Sequence, residues 1–240
     1  MALNFVVEPL DPIIEENYGP QIRTKVRTFC FLWDMLTKNI RTIIFDFGGV
    51  LINIDYKATI NAFKKLGIEN FDTMYTKARQ SNLFNDIETG KISVQAFINR
   101  LLDYLPSGTS PNKVVEAWNK MILDVPKENI DLLKQLKKDG YSIYLLSNTN
   151  EIHIKKALLE WAKVSMESPT DIFDKVYYSF DLQLRKPDRA IYEFVCQEQG
   201  LDPNKTLFID DSIQHVKGAL NSGLHAIHLT NDKSIQDYFS

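Results

Sequence analysis

The stretch Ile43-Ile44-Phe45-Asp46-Phe47-Gly48-Gly49-Val50-Leu51 constrains this chain more than any other. A run of apolar or β-branched residues at 42–45 delivers a carboxylate to its end, and two glycines follow almost at once. Such a run suits a short parallel strand covered on both faces, because a strand buried on each side needs no polar alternation. Gly48-Gly49 then permits the sharp turn that a strand tip requires. In open α/β sheets ligands bind outside the carboxyl ends of the strands, so Asp46 stands where a binding or catalytic group belongs. A strand-end Asp is equally at home as a helix cap, and the remaining sequence discriminates between the two.

From Pro126 onward, segments of helical and strand period alternate. A helix opened by Pro126 carries Ile130, Leu133 and Leu136 and stops at Gly140; strands are predicted at 141–146, 175–179, 206–209 and 226–229. Helices between them are predicted at 151–164, 187–200 and 212–222, the last stopped by Gly223. This alternation predicts a Rossmann-like α/β core, a parallel sheet with helices on both faces.

Between the first strand and Pro126 the pattern is helical only. Helices are expected at 55–66, 71–79, 93–105 and 111–122, with a polar turn at 84–89 before Gly90. They make an inserted four-helix-type cap whose core is assigned to Phe63, Phe71, Tyr75, Phe84, Phe97, Tyr104 and Trp118. The expected division is an N-terminal extension at 1–39, a core from 40–54 and 124–240, and a cap at 55–123. In the extension, residues 22–36 have the pattern of a helix, and Met35 sits where a minimal chain would begin, an expectation that intact-mass measurement of the natural protein tests.

With 240 residues, 44% of them apolar and 25% charged, the chain can bury one such core and a small inserted domain. A net charge of −3 argues against a nucleic-acid surface or an anionic membrane as main partner, since phosphate-backbone binding needs concentrated Lys and Arg. The early acidic residues Glu8, Asp11, Glu15 and Glu16 fit no secretory signal, and no apolar run reaches membrane-spanning length. Cys30 and Cys196 lie far apart without a CxxC, as expected of reduced thiols in a cytoplasmic protein.

Three later strand ends carry chemistry in a fixed order: Ser147-Asn148-Thr149-Asn150, then Arg185-Lys186-Pro187-Asp188, then Asp210-Asp211-Ser212. Together with Asp46 they make the chain resemble the haloacid dehalogenase (HAD) superfamily, in the subfamily with a helical cap inserted after the first strand, over about residues 40–230. A phosphate ester repels an anionic nucleophile, so carboxylate attack needs a divalent cation and fixed donors. The resemblance implies Asp46 as nucleophile, forming an aspartyl-phosphate, and Lys186 as the catalytic cation that also binds the phosphate. It implies Ser147 and Asn148 on the phosphate oxygens. It also implies Mg²⁺ held by Asp46, the Gly48 carbonyl, Asp211 and Asp210, the last directly or through water. A monomer or homodimer acting on a small phosphorylated molecule is expected.

One departure matters most. Phosphatases of this superfamily usually carry a second Asp two residues after the nucleophile as general acid and base, and here that residue is Gly48. A missing general acid costs roughly 10² to 10⁴ in rate. Three readings follow: a substrate with a good leaving group, a substitute carboxylate of which Asp55 is the nearest candidate, or a protein that binds phosphate without hydrolysing it. The Asp-x-Gly-x-Val opening and the run Leu-Ser-Asn-Thr-Asn resemble a branch of sugar-phosphate phosphatases acting on substrates such as glucose 1-phosphate, which favours the enzyme. The 2-haloacid dehalogenases also lack the second Asp but need no metal, and the acidic pair Asp210-Asp211 would be unneeded charge there. His153, His215, His225 and His228 show no metal spacing and are assigned to surface or structural roles. Asn53 near the cap hinge, Asp181 and Gln183 are further candidates for approach to the site, and Arg185 is a candidate partner of Asp181.

Overall fold

Thr42–Phe45 forms strand β1, buried at every position. Strands β2 (Ser142–Ser147), β3 (Lys175–Tyr178), β4 (Thr206–Asp210) and β5 (His225–His228) join it in one parallel sheet of order β3-β2-β1-β4-β5. The computed structural model describes residues 39–68, 82–230 and 232–239. The expected N-terminal extension with its helix at 22–36, Cys30, Met35 and the helix expected at 71–79 lie outside the described residues.

Strand residues alternate between two packed faces, as the period of a pleated strand requires. Ile43, Phe45, Ile143, Leu145, Leu207, Ile209 and Ile227 face one side, and Ile44, Tyr144, Leu146, Phe208 and Ala226 the other. Burying a side chain of this size stabilises the fold by roughly 1.5 to 3 kcal/mol. Both faces are covered by helices, which is why the strands read as near-continuous apolar runs.

The cap leaves and re-enters the core through two paired segments. Asn53 N–H donates to the Asp124 carbonyl at 2.9 Å, Leu123 N–H to Asn53 at 3.0 Å, and Asp55 N–H to Met121 at 2.9 Å. Among the described residues the cap holds helices α1 (Tyr56–Lys65), α2 (Leu83–Glu88), α3 (Val94–Leu102) and α4 (Pro111–Trp118). The polar turn expected at 84–89 is helix α2 instead, because Leu83, Phe84 and Ile87 fall on one face and are buried in the cap core. Phe84 stacks on Trp118 at 5.3 Å, with Phe97 against the same indole at 5.0 Å. Tyr104 is 48% exposed and does not belong to that core.

The core helices are α5 (Lys127–Lys138), α6 (Glu151–Trp161), the short α7 (Pro169–Ile172) and α8 (Ser179–Leu182), α9 (Arg189–Gln199) and α10 (Ile213–Asn221). Helices α5 and α6 supply Leu133, Ile154 and Trp161 to one face, while α9 and α10 supply Ile191, Val195 and Val216 to the other. No helix of the described residues is long and apolar enough to cross a membrane.

Candidate active site

The sheet order changes direction between β1 and β4, the place where open α/β sheets bind ligands. Phe45 pairs in register with Leu145 on one side and Ile209 on the other, and the Asp46 N–H continues the ladder to the Ile209 carbonyl at 2.9 Å. Asp46, Ser147 and Asp210 therefore end neighbouring strands at one edge.

Lys186 is wholly buried and places its Nζ 2.7 Å from Asp46 Oδ1 and 2.7 Å from Asp210 Oδ2. Its ammonium also lies 5.3 Å from the centre of the Phe208 ring. Burial disfavours the charged lysine, but the carboxylates of Asp210 and Asp46 outweigh it and hold its pKa above the usual value. Burial raises the pKa of Asp46; Lys186 pulls it down, and the charges of Asp210 and Asp211 push it up again. Burial and the neighbouring Asp210 likewise raise Asp211. For Asp210, burial is outweighed by Lys186 and by the hydrogen bond from His215, and its pKa falls.

Asn148 fixes this lysine by clamping its backbone. Its amide Nδ2 donates to the Lys186 carbonyl at 2.8 Å and its Oδ1 accepts from the Lys186 N–H at 2.9 Å. That side chain is engaged with the main chain, so of the two residues expected on the phosphate only Ser147 carries a functional group uncommitted among the described residues, and it lies at the wall of a small cavity of about 100 Å³. Asn150 caps α6, its Oδ1 accepting from the N–H groups of Ile152 and His153.

Gly49 has φ +74°, and a Cβ built there would come within 2.2 Å of Asp211 Oδ2. The left-handed turn and the absent side chain together admit the Asp211 carboxylate against the β1 loop. At Gly48 a Cβ would meet only Ile54, at 3.5 and 3.6 Å, which is ordinary contact.

Asp46, Gly48, Asn148, Arg185, Asp211 and His215 line a larger cavity of about 780 Å³ with residues of α1 and α2. The small cavity at Ser147 shares Gly48 and Asn148 with it. Asp55, the candidate substitute acid, is exposed and serves as the N-cap of α1, accepting from Lys57 N–H at 2.9 Å. It lines neither cavity. Asn53 bridges the cap hinge to the Asp124 carboxylate at 3.3 Å.

Two relationships are not visible in the sequence. His215, assigned from the sequence to a surface or structural role, places Nδ1 3.0 Å from Asp210 Oδ1, and one ligand atom from each of Asp46, Asp210 and His215 lies within 4.8 Å of the others. An i, i+5 spacing across a strand-to-helix turn carries no recognisable signal. Arg185, the candidate partner of Asp181, instead donates from Nη1 to Asn85 Oδ1 at 2.6 Å and sets Nη2 2.9 Å from Glu88 Oε2. These partners lie about 100 residues away in the cap.

The donor set suits Mg²⁺. Three carboxylates, Asp46, Asp210 and Asp211, gather around one ammonium, Lys186, and leave an excess of negative charge that a divalent cation offsets. Asp46, Asp211 and Gly48 line the cavity, and carboxylate and carbonyl oxygens are the ligand type Mg²⁺ prefers. Asp210 is already engaged by Lys186, His215 and the Ser212 N–H.

A sequence model of the haloacid dehalogenase-like hydrolases matches residues 40–223. The chain belongs to this family. It is 34% identical over 182 residues to the D-ribitol-5-phosphate phosphatase of Bacteroides thetaiotaomicron, covering 74% of this chain and 85% of that protein. A HAD family enzyme of the same organism, solved as the wild-type protein with magnesium and inorganic phosphate, superposes with a TM-score of 0.78 at 31% identity, over 84% of this chain and 100% of the other. The (S)-2-haloacid dehalogenase 4A of Burkholderia cepacia is 28% identical over 108 residues, 45% of this chain and 44% of that enzyme. This HAD-like hydrolase is an enzyme whose candidate site gathers Asp46, Asp210 and His215.

Proposed function

We propose that this HAD-like hydrolase is a Mg²⁺-dependent phosphatase of a small sugar or polyol phosphate, working through an aspartyl-phosphate on Asp46. The observation that carries the proposal is the Lys186 ammonium held 2.7 Å from both Asp46 and Asp210, with Asp211 lining the same cavity. The likeness to a D-ribitol-5-phosphate phosphatase over most of both chains supports the substrate class. The magnesium and phosphate bound in the similar solved structure support the cofactor.

Bound by Asp46, Asp211 and the Gly48 carbonyl, Mg²⁺ would draw charge from the phosphate and allow an anion to approach it. Lys186, bonded to Asp46 Oδ1, fixes the orientation of the attacking carboxylate and offsets the charge that develops on the phosphoryl oxygens. A bond forms from Asp46 to phosphorus as the bond to the leaving oxygen breaks, and the leaving oxygen takes a proton from water because Gly48 offers none. Water then attacks phosphorus as the bond from phosphorus to Asp46 breaks, its proton neutralising the hydroxide left by the first step, and Asp46 is freed with hydrogen phosphate. Without an acid at position 48, protonation of the leaving oxygen falls to water, at a cost of roughly 10² to 10⁴ in rate for an alkyl ester.

Phosphate release from a panel of phosphorylated metabolites with Mg²⁺, followed by acid quench and peptide mapping, tests the proposal. Turnover with transient phosphate on the Asp46 peptide supports it. Chloride release from 2-haloacids without metal, and no phosphate release with it, would replace it by the dehalogenase reading.

A further inference from the structure

Strand β5 is the sheet edge beside β4, and the register between the two ends where Asp210 faces His228. The Leu229 N–H closes that ladder on the Asp210 carbonyl at 3.0 Å. Asp211 lies one residue beyond the end of β4. The half-buried side chain of His228 reaches it there, with Nε2 3.0 Å from the Asp211 carbonyl. A carbonyl only accepts, so Nε2 carries the hydrogen and donates it. The neutral Nε2–H ring and the protonated ring both offer this donor, and the contact needs no change of protonation.

The turn that carries Asp211 is thus tied at three points. The Asp210 carbonyl is held by Leu229, the Asp211 carbonyl by His228, and the Ser212 N–H by Asp210 Oδ1 at 2.8 Å. The Asp211 side chain meets a further constraint, because a Cβ at Gly49 would lie 2.2 Å from its Oδ2 and 2.6 Å from its Cγ. Its peptide is fastened to β5 and its carboxylate is seated where Gly49 has no side chain, which sets the direction in which that carboxylate faces the β1 loop. His228 lines neither cavity of the site, so it acts there only through Asp211.

We infer that His228 is a positioning residue for the cation: by holding the Asp211 peptide, it fixes the Asp211 carboxylate at the Mg²⁺ site. The inference rests on the Mg²⁺ reading and adds to it a residue of the edge strand. Without the donor the Asp211 peptide is free to rotate and the carboxylate shifts within the cavity it shares with Asp46. A shift of about 1 Å in a group that must meet other ligands is enough to be felt in turnover.

The test is calorimetric titration of Mg²⁺ into the full-length, EDTA-treated protein and into His228→Gln, His228→Asn and His228→Leu. Melting temperatures and phosphate release from p-nitrophenyl phosphate are recorded beside it. The Gln amide reaches to the place of Nε2 and keeps a donor there, whereas Asn is too short and Leu has none. His228→Gln binds Mg²⁺ within about 2-fold of the parent, and His228→Asn and His228→Leu bind it roughly 2- to 12-fold more weakly, the range for one lost hydrogen bond. Turnover at saturating Mg²⁺ falls in the same two variants. If these two melt lower but bind Mg²⁺ as the parent does, His228 is only a clasp at the sheet edge and the inference fails. Equal weakening in His228→Gln and His228→Asn also overturns it, and that comparison decides where His228→Leu does not fold. A parent protein that binds no Mg²⁺ overturns the inference together with the Mg²⁺ reading, whereas Mg²⁺ bound equally by the parent and all variants overturns the inference alone.

Discussion

The imidazole of His153 stacks on the indole of Trp118, 4.8 Å between centres and 14° from parallel, and its Nε2 lies 3.1 Å from the Trp118 carbonyl. A carbonyl only accepts, so Nε2 carries the hydrogen, and Nδ1 accepts from the Asn150 amide at 3.2 Å. Both ring nitrogens are satisfied by the neutral form. The pair joins α6, which Asn150 caps, to the C-terminal end of cap helix α4.

Burial lowers the His153 pKa from 6.5 to about 4, against the opposing hydrogen bond to the Trp118 carbonyl. The unfolded protein therefore takes up a proton near pH 6.5 while the folded protein refuses it until about pH 4. The contribution is complete above 6.5 and is lost as the pH falls toward 4, amounting to on the order of 3 kcal/mol across the window. Urea unfolding of the parent and of His153→Gln at pH 7.5 and pH 4.5 checks this: the parent loses more stability between the two than the variant. Equal losses would count against it.

Lys186→Met leaves the buried Asp46 and Asp210 facing each other without a cation. Removing one member of a buried charge group costs about 3 to 5 kcal/mol, so the melting temperature in EDTA falls and phosphate release is abolished. On the proposed reading Mg²⁺ adds positive charge beside Asp46 and raises the melting temperature of both proteins, more in the variant. Melting curves that Mg²⁺ does not shift in either protein would argue against a cation among these carboxylates.

The two adjacent glycines respond oppositely to a side chain. At Gly48 a Cβ meets only Ile54, at ordinary contact distance, so Gly48→Asp folds and places an acid beside the nucleophile. Its turnover of alkyl phosphates rises by up to on the order of 10²-fold, with little change for p-nitrophenyl phosphate, whose leaving group needs no proton. Gly49→Ala drives a methyl into Asp211 at a left-handed position, and both melting temperature and Mg²⁺ affinity fall. Steady-state rates on the two ester types, beside a Mg²⁺ titration, read both effects.

Asn148→Ala releases the clamp on the Lys186 backbone. The lysine loses its fixed position more than its partners, so kcat falls roughly 10- to 100-fold through misplacement rather than loss of the group. A kcat equal to that of the parent would show that Pro187 and the strands hold the loop without it.

By itself the sequence determined the strand tips. The apolar run into Asp46, the run into Ser147 and the run into Asp210 are local signals, and the parallel register that levels them follows from strands buried on both faces. Only the tertiary structure decided which residues far apart in the chain meet. Arg185 with Asn85 and Glu88, His153 with Trp118, and the Asn148 clamp join residues 35 to 100 positions apart. Helix α2 departs from the expected polar turn for a related reason: its apolar face is only three residues, too short to show a helical period until the rest of the cap buries it. Periodicity records what a residue does to its near neighbours in the chain, whereas these contacts depend on how the cap helices and the core loops meet over the edge of the sheet.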